Sequence, residues 1–91
     1  RVSKSAGETD PYALGNAYLV REAYGGAVAE YTRAIARNPR NLSAFVGRGL
    51  AYHFMGDKDG AAADFKVILE LMDDHEVRRQ VTEKLQTLAP E

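Results

Sequence analysis

Residues 12–39, YALGNAYLVREAYGGAVAEYTRAIARNP, and residues 46–73, VGRGLAYHFMGDKDGAAADFKVILELMD, follow one pattern set 34 positions apart. Gly15 falls on Gly49, Ala17 on Ala51, Tyr18 on Tyr52, Ala27 on Ala61, Glu30 on Asp64 and Tyr31 on Phe65. Small and aromatic residues recurring at one offset mark a supersecondary unit that buries its apolar face against the next copy of itself. The period therefore has to be read before any local motif.

Working outward from the repeat, Asp10-Pro11 reads as an N-cap followed by proline at the first helical position, where its missing N–H costs nothing. A helix over about 10–23 follows, and Gly25-Gly26 is expected to break it. A second helix, about 26–38, carries Ala27, Tyr31, Ala34 and Ile35 at helical spacing and stops at Asn38-Pro39, because the residue before proline is steered out of the α region. The order then recurs. Asn41 or Ser43 caps a helix to about Met55, Gly56-Asp57 makes the turn, and Asp59 caps a helix over about 60–72. Asp73 or Asp74 opens a last helix to about Leu88, ended by Ala89-Pro90. No stretch alternates with period two, so no strands are expected.

Leu14-Gly15-x-x-Tyr18, Ala27-x-x-x-Tyr31, Ala34 and Pro39 form the first copy of a motif, and Phe45-x-x-x-Gly49-x-x-Tyr52 with Ala61-x-x-x-Phe65 the second. In these residues the chain resembles the tetratricopeptide repeat (TPR) family over roughly residues 8–75. The departures are Pro11 for the first aromatic, Arg48 for the leucine, Ile68 for the second alanine and Asp73 for the closing proline. The resemblance implies an all-α, right-handed solenoid of two antiparallel helix pairs. Its parts are a disordered segment over 1–9, one repeat over 10–40, a second over 41–74, and a C-terminal capping helix over 75–89. Gly15, Gly49, Ala27 and Ala61 are small so that paired helices can approach. Tyr18, Tyr31, Tyr52 and Phe65 are assigned to the core between them.

The two ends differ. In the last helix the positions of Phe45, Gly49 and Tyr52 hold Arg79, Glu83 and Gln86, while Val77, Val81, Leu85 and Leu88 keep one apolar stripe. That is the pattern of a solvating cap. The first helix, with Tyr12, Ala13, Leu14, Ala17, Tyr18, Leu19 and Val20, has few polar positions. Either further repeats precede it in a longer protein, or a second copy or partner covers it.

The resemblance further implies a concave groove that binds peptide segments. Its first wall would hold Thr9, Tyr12, Asn16, Leu19 and Val20, and its second Ser43, Val46, Leu50, His53 and Phe54, with Arg40 and Asn41 at the edge. Val46, Leu50 and Phe54 recur at i, i+4 and i+8, which suits an apolar or amphipathic segment. Some chaperone-binding members grip a C-terminal carboxylate with a lysine–asparagine–asparagine–lysine–arginine set. The corresponding positions here are Tyr12, Asn16, Gly47, Val77 and Val81. Only Asn16 matches, which argues against that ligand.

The chain has 91 residues, 45% apolar and 27% charged, and a net charge of −1. That is room for one small folded domain, with no long-range pull toward nucleic acid or anionic lipid. Without cysteine there is no thiol catalysis or thiolate metal site. His53 and His75 stand apart, and Asp73-Asp74-His75-Glu76 lacks the spaced ligands of a calcium loop. Arg33, Arg37 and Arg40 make a basic ridge without interleaved aromatics, the pattern of a solvated face. No apolar run reaches membrane-spanning length, and residues 1–7 lack the core of a signal peptide. The expectation is a soluble, non-enzymatic protein-interaction scaffold without cofactor or metal, cytoplasmic before periplasmic or secreted. The alternative is a self-assembly element, either a homo-oligomer or the C-terminal part of a longer array.

Overall fold

The computed structural model describes residues 10–88, and the side chains at positions 81 and 84–88 fall outside what it describes. The expected disorder over 1–9, the place of Thr9 in the groove and the packing of Val81, Leu85 and Leu88 therefore lie outside the described residues. Five helices follow in order: α1 Pro11–Val20, α2 Tyr24–Arg37, α3 Leu42–Met55, α4 Lys58–Met72 and α5 His75–Leu88. Short turns make α1 with α2, and α3 with α4, antiparallel pairs. The pairs stack through α2 and α3, while α1 also touches α3, so the first helices of the two pairs lie side by side. This is the all-α helical solenoid that the repeat implies, and no strand occurs among the described residues.

Local chemistry sets the boundaries. Asp10 accepts a hydrogen bond from Tyr12 N at 3.2 Å with Pro11 at the first helical position. Asn41, rather than Ser43, caps α3 by accepting from Ala44 N at 3.0 Å. Asp57, rather than Asp59, caps α4 through Gly60 N at 2.9 Å. Asp74 caps α5, accepting from Glu76 N and Val77 N at 2.9 and 3.2 Å. The caps are acceptors for helix N–H groups that have no partner within the helix.

One boundary departs from the sequence reading. Gly25-Gly26 does not break the first pair; both residues lie inside the first turn of α2, and the turn falls on Arg21, Glu22 and Ala23. Gly26 is there for proximity, since a Cβ on it would stand 3.1 Å from the Tyr18 ring. The turn residue is Glu22, with φ 64°, at the register position of Gly56, with φ 82°. A left-handed backbone suits glycine and strains glutamate. Ala23, at the register position of Asp57, gives α2 no side-chain cap. The first turn is thus a poorer version of the second.

The core lies between the pairs. Ala27, Tyr31, Ala34, Ala44 and Ala51 are buried together, with Tyr12, Leu19, Tyr24, Val28 and Ile35 packed on them. Tyr31 is the largest of the fully buried side chains. Its ring fits because two Cβ atoms are missing beside it: one on Gly15 would stand 2.8 Å from the ring, and one on Gly47 would be closer still. The other aromatics assigned to the core are less enclosed. Tyr18 and Phe65 each remain more than a third exposed: among the described residues no helix stacks on α1 from outside, and α5 meets α4 only over a narrow strip.

A second tie crosses three helices. Arg48 on α3 donates from Nε and Nη2 to Asp64 on α4, at 2.9 and 2.7 Å, and from Nη1 to Thr32 Oγ1 on α2, at 3.1 Å. The arginine side chain is 18% exposed and the aspartate 3%. Its guanidinium lies 5.5 Å from the Phe45 ring centre and 5.8 Å from that of Tyr52, and its hydrogen bond to Asp64 makes it hold its proton more tightly than a free arginine. Bidentate geometry with both partners desolvated is the arrangement in which removing one side costs most.

Two expectations for stability follow. Arg48→Ala should lower the unfolding free energy by about 3–5 kcal/mol, because it strands the Asp64 carboxylate in the interior. Asp64→Asn, which keeps a hydrogen-bonding partner, should cost less; chemical denaturation ranks the two. Combining Glu22→Gly with Ala23→Asp should stabilise the fold by about 1–2 kcal/mol, by relieving the strained turn and supplying the missing cap.

Candidate functional site

The side-by-side placement of α1 and α3 opens a cleft of about 300 Å³ on one face of the solenoid. Tyr12, Asn16 and Leu19 line it from α1, and Leu42, Ser43, Val46, Gly47 and Leu50 from α3. Tyr31 reaches through from α2 and closes the floor. None of these side chains is charged. Val46 and Leu50 remain exposed although they flank a packed core. An uncharged cleft with apolar walls has little to offer an ion and much to offer an apolar segment.

Six of the nine expected groove-wall residues that are described, Tyr12, Asn16, Leu19, Ser43, Val46 and Leu50, meet in this cleft. Val20, His53 and Phe54 do not line it. They sit toward the other end of the same helices, where the Phe54 ring stacks on Tyr24 at 5.3 Å and meets the edge of His53 at 5.3 Å. Val20 is 83% exposed. The α helices turn these three away from the cleft but leave them on accessible surface, so the expected groove divides into a cleft and a neighbouring aromatic ledge.

The cleft has one directed polar group. The Tyr31 hydroxyl donates to Asn16 Oδ1, so the Asn16 amide nitrogen is the donor left for an occupant. Burial, reinforced by neighbouring Tyr12 with ring centres 6.0 Å apart, pushes the Tyr31 phenol above its ordinary pKa of 10.0. Sequence reasoning placed Tyr31 wholly in the core and so missed its polar tip. The signal was available: a core aromatic that is tyrosine in one repeat and phenylalanine in the other has a hydroxyl to account for.

The acidic stretch after α4 is engaged in structure. Asp74 caps α5 and pairs with Arg40, and Glu76 takes hydrogen bonds from Arg79 and Gln80. The Val77 N–H and the nearby Arg40 hold the Asp74 carboxyl below its usual range, and Arg79 does the same for Glu76. Among the described residues no group of three His, Cys, Asp or Glu side chains could hold a metal ion. No helix among them is long and apolar enough to cross a membrane.

The family model described as "TPR repeat" matches residues 12–56, spanning α1, α2 and α3 and so both walls of the cleft. The chain belongs to the TPR family. No curated protein and no solved structure matches it. Membership makes a protein-interaction scaffold the function class of this TPR chain.

The buried phenol gives a pH test. Because its folded pKa lies above the unfolded one, Tyr31 contributes stability that is fully present below about pH 10 and is lost as pH rises through the folded value. Thermal melts of the wild type should therefore fall steeply above that pH. Tyr31→Phe should start about 1 kcal/mol lower, having lost the hydrogen bond to Asn16, and show a shallower alkaline decline. Parallel slopes for the two proteins would assign the decline to other groups.

Proposed function

We propose that this TPR chain captures an apolar or amphipathic segment of a partner protein in the cleft between α1 and α3. The observation that carries the reading is the uncharged cleft, with the exposed Val46 and Leu50 on one wall and the half-buried Tyr12 and Leu19 on the other. Side chains of the segment would fill the apolar walls, and the Asn16 amide would donate to a backbone carbonyl, which fixes register without requiring a charged partner. Val20, His53 and Phe54 would extend the contact past the end of the cleft. The departures from the clamp pattern at Tyr12, Gly47 and Val77 support an uncharged ligand over a C-terminal carboxylate. No catalytic step is part of this reading.

Selection of a displayed random-peptide library on the full chain should return peptides rich in apolar residues at helical or alternating spacing. Leu50→Glu should weaken the selected peptides at least tenfold, with the circular dichroism of helix unchanged, because a charge placed in a desolvated contact costs about 1.4 kcal/mol or more. Phe54→Glu should have the smaller effect of a flanking contact. Peptides that bind Leu50→Glu as well as wild type would overturn the cleft as the site.

A further inference from the structure

Three large apolar side chains share one face of α4 and stand in solvent: Phe65 at 40% exposure, Leu69 at 67% and Met72 at 49%. One repeat earlier the first two positions are Tyr31 and Ile35, and there α3 covers them, with Gly47 against the Tyr31 ring and Ala51 in the same core. Among the described residues, α5 leaves Phe65, Leu69 and Met72 all exposed. The register positions of Gly47 and Gly49 are Val81 and Glu83, so α5 lacks the bare backbone on which a ring can seat. It is held at its first turn, where Val77 is buried and Asp74 pairs with Arg40.

The opposite end of the molecule carries the matching seat. The register positions of Gly47 and Ala51 on α1 are Ala13 and Ala17, both small. Leu14 stands where Arg48 stands, and Glu30 on α2 stands where Asp64 stands. The Glu30 Oε2 atom lies 3.6 Å from Arg33 Nη1, but its buried Oε1 has no hydrogen-bond partner among the described residues. In the second repeat the equivalent carboxylate is satisfied by an arginine that also touches Thr32 on the stacked helix. One repeat further, the place of Thr32 is taken by Lys66, exposed beside Phe65 on α4. The cation has moved from the middle helix to the outer one.

We propose that a second copy of the chain occupies these faces, with α4 of one protomer docked on α1 of the next. Phe65 lies over Ala13 and Ala17 as Tyr31 lies over Gly47 and Ala51. The Lys66 ammonium reaches past Leu14 to the Glu30 carboxylate. The patches on the two copies differ, so the contact is heterologous and extends into an open chain of protomers unless the rotation closes a ring. Seating α1 against Phe65, Leu69 and Met72 requires α5 to yield that side of α4. The α1–α3 cleft takes no part in the contact, so this association stands or falls independently of the peptide reading.

Sedimentation velocity on the full chain, from low micromolar to near-millimolar concentration, should show mass rising beyond a dimer. Leu69→Glu blocks the α4 face and Ala17→Glu the α1 face; both positions are exposed, so each variant should remain helical and monomeric. Mixed together, the two should form a dimer and nothing larger, through the one intact face each retains. Lys66→Glu should weaken association at least about tenfold, and mixing it with a Glu30→Lys chain should restore the contact. A full chain that is monomeric throughout the range would overturn the proposal. So would an assembly that survives either blocking variant alone, since that contact would use another surface.

Discussion

The ring of Tyr31 fixes the distances on which the rest of the fold depends. It is wedged between two helices that lack side chains where it passes, Gly15 on α1 and Gly47 on α3. One aromatic thereby sets both the spacing within the first pair and the spacing between the pairs. The same ring carries its hydroxyl to Asn16 at the floor of the cleft. Core and binding surface are therefore not separate parts of this molecule. The width of the cleft is set from behind by the volume of one buried side chain, and close-packed interiors transmit such dimensions with little slack.

The second repeat solves the same packing problem with different chemistry. Phe65 has Gly49 beneath it, as Tyr31 has Gly15, but no second glycine follows on α5. In compensation, the second pair is tied to the first by the Arg48–Asp64–Thr32 network rather than by ring packing alone. The first pair has the carboxylate of that network, Glu30, but a leucine where the arginine would be. The two repeats are thus close in backbone and unlike in charge, and this difference gives the molecule two dissimilar ends.

Most of the architecture was legible in the sequence, because a fixed offset of small and aromatic residues leaves few other folds. The cap at Asp10 and the turn at Gly56 were legible, and the α3 cap was narrowed to Asn41 or Ser43, for the same local reason: their chemistry is decided within three or four residues. Gly25-Gly26 misled because glycine both permits turns and permits approach, and only the partner, Tyr18, tells which is in use. Arg48 read as a failure of the repeat pattern, since a mismatch against an expected leucine hides a match against Asp64. Their separation of 16 residues was the clue, for Gly15 and Tyr31, and Gly49 and Phe65, meet across their hairpins at that same separation. The cleft was placed from the pattern of α1 and α3, but its far end was not. Phe54 stacks on Tyr24, the first residue of α2, which the expected boundaries left outside both helices of the first pair.

The enclosure of Tyr31 also bears on how the chain is made. A ribosome releases α1 and α2 before α3, but the wall that completes their central side chain belongs to α3. Until residue 47 has emerged, the ring has Gly15 on one side and water on the other. The first turn, with Glu22 in a strained conformation and no cap at Ala23, offers that nascent pair little local support. The first pair is thus completed only by the helix that follows it.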